Sequence, residues 1–314
     1  MWFRRSTSTS LSRKRPDTPM KKIKGCFPVL ERQGHGGKKE WAGILFILPS
    51  FIGTGIFVLI PFADVVRRSF TESISGKWSG IENYRAVFAT PAFRLAASNT
   101  ARFTAVCIPL LIMLSLLLAI FLQRQGKAGS LLKSAFLVPM AIPVASVVLL
   151  WRVLFDNQGI LNGMLQRLGM AGSDWMNGGT AFWVLVFSYI WRNLGYDVVL
   201  WMAGLSGISE SIYEAARVDG AGEWKCFWKI TLPNLLPSMF TIAVLSLLNS
   251  FKVFREAYLV AGDYPDESMY MLQHLLSNWF RELSMDKMAA ASVINGLVIF
   301  VLILLLKKAW EKEG

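Results

Sequence analysis

Charge, cysteine and histidine are all scarce in this chain. Asp, Glu, Lys and Arg make up only 17% of its 314 residues while 54% are hydrophobic, above the ~45–50% apolar share of a typical soluble domain. An ordinary soluble domain is therefore excluded, and the composition is that of an integral membrane protein. The three cysteines, Cys26, Cys107 and Cys226, show no C-x-x-C spacing, which argues against a disulfide framework or a thiolate metal site. The two histidines, His35 and His274, lie too far apart to form a metal motif. No G-x-x-x-x-G-K-[ST] occurs, because Gly37-Lys38, Gly76-Lys77 and Gly126-Lys127 each lack the required upstream glycine. Gly220 and Gly222 imitate half of a dinucleotide fingerprint, with no third glycine and no preceding strand. Nor is there a nucleophile paired with a base. The expectation is a chain that is not an enzyme, binds no ATP itself and carries no cofactor or metal.

The charge that is present is lopsided. The net charge is +12, but the first forty residues hold 11 Lys/Arg against three acids, Asp17, Glu31 and Glu40. A basic segment ahead of apolar runs is an orientation signal more simply than a nucleic-acid surface. Residues 1–40 have no apolar core of the kind a cleaved signal needs; the expectation is a retained, disordered cytoplasmic tail. Met1 and Met20 both remain open as the start.

Runs of about 20 mostly apolar residues predict six spans: Ala42–Phe62, Thr100–Leu122, Ala135–Phe155, Ala181–Leu205, Leu236–Ala257 and Ala289–Leu306. With the N-terminus inside, the cytoplasmic segments hold 20 Lys/Arg and the outer ones 8. The positive-inside rule then places both termini in the cytoplasm of a multi-pass cell-membrane protein.

Between the fourth and fifth runs lies "YEAARVDGAGEWKCFWKITLPNLLP", polar and punctuated by glycine. Ser209 is placed to cap a short helix with Glu210 in its first turn. That helix should stop at Asp219-Gly220, where glycine takes the left-handed conformation. A second short helix, "EWKCFWKI", puts Trp224, Phe227 and Trp228 on one face suited to the membrane interface. Pro233 and Pro237 are expected to break the chain before the fifth span. The whole reads as a helix-turn-helix on the cytoplasmic surface.

This stretch closely resembles the EAA loop of the permease subunits of binding-protein-dependent ABC importers, with its Glu-Ala-Ala, a glycine and a closing Ile-x-Leu-Pro. Glu214, Ala215, Ala216, Gly220, Ile230, Leu232 and Pro233 fall on that pattern, with Asp219 beside the glycine. "FLVPMAIPVASVVLLWRVLFDNQGILNGML" and "FREAYLVAGDYPDESMYMLQHLL" are similar to segments of the carbohydrate-importing branch, in its MalF-like subunit. The resemblance covers residues 42–310. It implies an all-α, type I permease with six transmembrane helices and a coupling helix in the loop at about 209–235. It further implies a second permease subunit in a heterodimer, two ATPase subunits, an extracytoplasmic solute-binding protein and a sugar substrate.

Ionisable residues inside a span mark function by default. The fourth run carries Arg192, Asn193, Tyr196 and Asp197 near its middle, and the fifth carries Ser246, Asn249 and Lys252 at i, i+3, i+6. Three readings stay open for these residues: Asp197 neutralises Lys252 or Arg192, the group lines a solute path, or the charged side chains snorkel toward the lipid interface. Asn and Tyr suit sugar hydroxyls because they both donate and accept hydrogen bonds. The resemblance adds that residues of the fourth, fifth and sixth spans line the sugar site, with Gly195, Tyr196 and Asn249 the best matches and Asn295 in the sixth another. The rival readings are an ion-coupled secondary transporter built around Asp197, and a membrane enzyme using Asp197 with the outer Asp156 or Asp174.

Overall fold

The computed structural model describes residues 36–125, 127–251 and 265–313. It divides into two units, Met1–Gly55 and Ile56–Gly314. In the first, helix α1 (Gly36–Thr54) begins inside the stretch assigned to the tail; residues 1–35, with the basic cluster, lie outside the described residues.

A single π-helical turn, Gly55–Leu59, leads into α2 (Ile60–Ser69). Pro61 explains the widening. Its ring crowds the carbonyl four residues back, on Phe57, and it has no N–H to offer. The connection to the next long helix runs through α3 (Glu82–Ala89), where Asn83 donates to the Ser69 and Thr71 carbonyls at 3.0 and 2.9 Å. Helix α4 (Pro91–Arg124) opens with its proline in the first turn, where the missing N–H costs nothing.

The predicted third span departs from expectation. It is two helices, α5 (Lys127–Ala141) and α6 (Val144–Phe155), which meet at Ile142-Pro143. Pro143 cannot donate to the preceding turn and drives Ile142 out of helical conformation. After α7 (Ile160–Arg167) comes α8 (Gly179–Ser206), whose 28 residues pack against α4 and α5. Helices α9 (Glu210–Val218) and α10 (Glu223–Cys226) precede α11 (Leu232–Ser250), with α12 (Leu272–Arg281) and α13 (Met285–Glu313) closing the chain.

Among the described residues five helices are long and apolar enough to cross a membrane: Ile44–Ser69, Pro91–Arg124, Val144–Arg167, Glu223–Ser250 and Met285–Glu311. Helix α8 has the length, but Arg192, Asn193 and Asp197 dilute its apolarity. It lies among other helices. Phe103, Cys107 and Leu111 of α4 pack on Phe182, Leu185 and Tyr189 of α8. Further along, Ala119 and Leu122 of α4 meet Val198, Trp201 and Leu205 of α8 with Leu235 and Ile242 of α11.

In a bilayer such packing has no hydrophobic driving force, so close fit and hydrogen bonds hold the helices. Trp201 Nε1 donates to Ser115 Oγ at 3.0 Å, and Trp151 Nε1 to Ser188 Oγ at 2.7 Å. Each such bond contributes about 0.6 kcal/mol.

Candidate coupling loop and translocation path

The loop after α8 is built by its backbone. Helix α9 ends in a Schellman motif: Gly220 N–H donates to the Arg217 carbonyl at 3.0 Å and Ala221 N–H to the Ala216 carbonyl at 2.9 Å. Gly220 has φ +75°, the left-handed conformation expected of it, so the chain reverses sharply into α10. Ser209 does occupy the N-cap position, but its hydroxyl makes no cap bond. It pairs instead with the Ser211 hydroxyl at 2.8 Å.

Glu214, Ala215 and Asp219 are exposed and Ala216 is half-buried. No residue of α9 is buried, and Val218 is 88% exposed. The helix therefore presents both its acids and its apolar side chains outward. Trp224, Phe227 and Trp228 pack on one another with ring centroids 5.4–6.2 Å apart, Trp228 edge-on to the other two, and Trp224 stays 74% exposed. Tyr213 of α9 joins Thr231 by a 2.9 Å hydroxyl contact.

The expected break at Pro233 and Pro237 does not occur. A second π-helical turn, Phe227–Thr231, spans the carbonyl of Lys229 that Pro233 would crowd, and the helix runs on through Pro237 to Ser250. Leu232 is half-buried and Pro233 exposed at the start of α11.

In the bundle, the two polar stripes meet. Asp197 and Ser246 are both 2% exposed, and Ser246 Oγ donates to the Asp197 carboxylate at 3.0 Å. Tyr189, two turns before Asp197, donates through its hydroxyl to the Ser246 carbonyl at 2.9 Å. Asn193 turns back on its own helix, donating to the Tyr189 carbonyl at 2.8 Å. Tyr196 and Asn249 are half-buried on the two helices.

Gly195 has a packing role as well. A Cβ there would run into the backbone carbonyl of Phe136, so α5 and α8 touch backbone to backbone. Lys252 lies outside the described residues. Asn295 sits elsewhere, in an apolar cavity of about 520 Å³ that α4 and α13 line together with Phe88, Phe251 and Leu272, without α8. It does not join the Asp197–Ser246 contact.

Sequence reasoning missed Tyr189, because a tyrosine in an apolar run reads as packing. It also missed the pairing of Glu223 with Arg124 and Arg217, at 3.1 and 3.2 Å. The signal for Glu223 was present: an acid three residues past Gly220 and a basic residue closing the second span.

Residues 111–309 match the family described as binding-protein-dependent transport system inner membrane component. The chain belongs to this family. It is 30% identical to the sulfoquinovosyl glycerol transport system permease protein SmoG of Agrobacterium fabrum, over 74% of this chain and 80% of that one. It is likewise 30% identical to the arabinooligosaccharides transport system permease protein AraP of Bacillus subtilis, over 88% and 91% of the two chains. The fold matches a chain in the crystal structure of a bacterial ABC transporter involved in the import of the acidic polysaccharide alginate. There the TM-score is 0.77 at 21% identity, covering 88% of this chain and 96% of that one. This permease is thus a multi-pass transport subunit of an ABC importer and not an enzyme. The ion-coupled alternative finds no support in these relatives.

Proposed function

We propose that this permease forms half of the path for a sugar or sugar derivative handed over by an extracytoplasmic binding protein, and that residues 209–235 are its coupling loop to an ATPase subunit. The observation that carries the reading is α9 itself. Its Glu-Ala-Ala face is unburied within the chain, and the Gly220 motif aims it rigidly. Such a helix suits a cleft on a partner, and Val218 and Ile212, 88% and 44% exposed, supply apolar contacts for it.

On this reading there are six spans, with α8 the one surrounded by others, and both termini lie in the cytoplasm. A second permease and two ATPase subunits complete the importer. ATP-driven closure of the ATPases would push α9, turning the bundle outward, and hydrolysis would reset it. The polar residues where α8 and α11 meet, with Tyr196 and Asn249 beside them, are the path-lining candidates. Hydroxyl-rich solutes suit them. The names of the relatives, which move glycosides and oligosaccharides, support the same substrate class.

The test is to purify the importer with Gly220→Val or Glu214→Lys in this subunit. A side chain at Gly220 strains the backbone by roughly 1–2 kcal/mol, and Glu214→Lys inverts a charge offered to the partner. The expected outcome is lost ATPase subunits, or hydrolysis that no longer responds to loaded binding protein. Wild-type yield, stimulation and uptake in both variants would reject the coupling assignment.

A further inference from the structure

Helix α9 has no fully buried residue and only Tyr213 and Ala216 are half-buried, so packing gives it little hold on the bundle. Beneath it lies a cleft of about 210 Å³, lined by Ile120 and Gln123 of α4, Leu205 of α8, and Tyr213, Phe227 and Thr231 of the loop. Two kinds of contact cross the gap between the loop's parts and the bundle. One is the Tyr213–Thr231 hydroxyl pair. The other is a fork at Glu223, the first residue of α10: Oε1 accepts from Arg217 in the last turn of α9, and Oε2 accepts from Arg124, the last residue of α4.

We infer that Glu223 is the positioning residue that makes α4 move with the coupling helix, one carboxylate gripping the end of each. The inference rests on the coupling reading above. The three side chains are 58–68% exposed, so the pairs add little to folding stability. What they supply is a directional polar link across the cleft, where the apolar packing of α9 is slight.

Helix α4 is fitted to carry the movement across the membrane. At its other end Asn99 donates to the carbonyls of Glu267 and Tyr270, and Thr100 accepts from the Leu272 backbone N–H at 3.0 Å. From Asn99 to Arg124 the helix covers about 38 Å at ~1.5 Å per residue, enough to cross a bilayer. The segment it holds is anchored in turn to the start of α8, since Asp266 accepts from the Gly178 N–H at 2.9 Å. A push on α9 thus reaches the segment at 266–272 through one continuous helix, which runs on through Pro109.

The experiment uses the complete importer in proteoliposomes with Glu223→Gln, Arg124→Gln and the double variant. Assembly yield and Tm should match wild type. Stimulation of hydrolysis by loaded binding protein should fall roughly two- to fivefold in each single variant, the scale on which an exposed pair shifts an equilibrium. The double variant should be no worse than the poorer single one, because both changes remove the same link. Undiminished stimulation in Glu223→Gln, losses that multiply in the double variant, or lost assembly would each overturn the inference. Gly220→Val run in parallel separates the two levels: a defect there with Glu223→Gln silent removes only the fork, whereas silence in both removes the coupling reading itself.

Discussion

Helix α8 and helix α9 are joined by a few residues and could hardly be held more differently. Gly195 on α8 lies against the backbone of α5, and Asp197 is buried against Ser246 of α11. Helix α9 has no buried residue and is tied by a glycine turn, one exposed ion pair and the Tyr213–Thr231 hydroxyl contact. The first helix is specified by shape, because in a bilayer small residues and satisfied polar groups are what bring helices together. The second is specified by chain geometry and charge. That leaves its surface free for another subunit.

The largest effect expected from this contrast is at Gly195. Gly195→Val should cost assembly outright, since the new side chain meets backbone that cannot swing aside, and overpacking of this kind destabilises by ~1–3 kcal/mol or more. Membrane yield and Tm in detergent are the readouts. Gly220→Val should leave membrane yield near wild type, because no atom lies within 4 Å of a Cβ there, while the strain of a side chain at φ +75° misaims α9 and abolishes coupled transport. Equal losses of yield at the two glycines would break the comparison.

A smaller effect is expected at the path. Tyr196→Ala and Asn249→Ala should each lower apparent affinity for the transported solute several-fold, as the loss of about 1 kcal/mol per hydrogen bond implies, with assembly intact. Uptake assays at varied solute concentration decide this, and unchanged uptake would leave the buried Asp197–Ser246 contact as structure alone.

The smallest effect concerns the contact between Asp266 and the start of α8. The Ser268 hydroxyl and N–H, with the Gly178 N–H, hold the Asp266 carboxyl below the usual carboxylate range. A depressed folded-state value means that the contribution is fully present above the ordinary carboxylate pKa of about 3.9. It is lost as pH falls through the lower folded value. The protection factors of the Gly178 and Ser268 amides, their exchange rates referred to the intrinsic rate at each pH, should therefore fall on acidification in wild type. In Asp266→Asn protection should be low already at neutral pH and show little further change.

Much of this architecture was legible in residue order. The apolar runs located the long helices, and the EAA register together with Gly220 located the loop and its turn. Proline misled in both directions. Pro143 splits a run that reads as one span, whereas Pro233 and Pro237 sit inside a helix that continues, because a π-helical turn absorbs Pro233 four residues upstream. Local sequence does not say which solution a proline takes, since neighbouring helices decide whether the wider turn can be accommodated. Among the path candidates, the i, i+4 spacing put Asn193 and Asp197 on one stripe, yet Asn193 bonds to its own helix and Asp197 to another. Asn295, grouped with them by resemblance, lines a separate cavity.

By itself the sequence determined the class of solvent, the helical nature of the chain and the glycine turn that separates α9 from α10. These follow from composition, from period and from the backbone freedom of one glycine, all local properties. Only the tertiary structure decided that the stripes of α8 and α11 meet at Asp197 and Ser246, that Gly195 is an inter-helix contact, and that Glu223 joins α4 to α9. Each of those depends on the rotation and depth at which one helix meets another. That is set by summed packing along their whole length, and no short stretch of sequence encodes it.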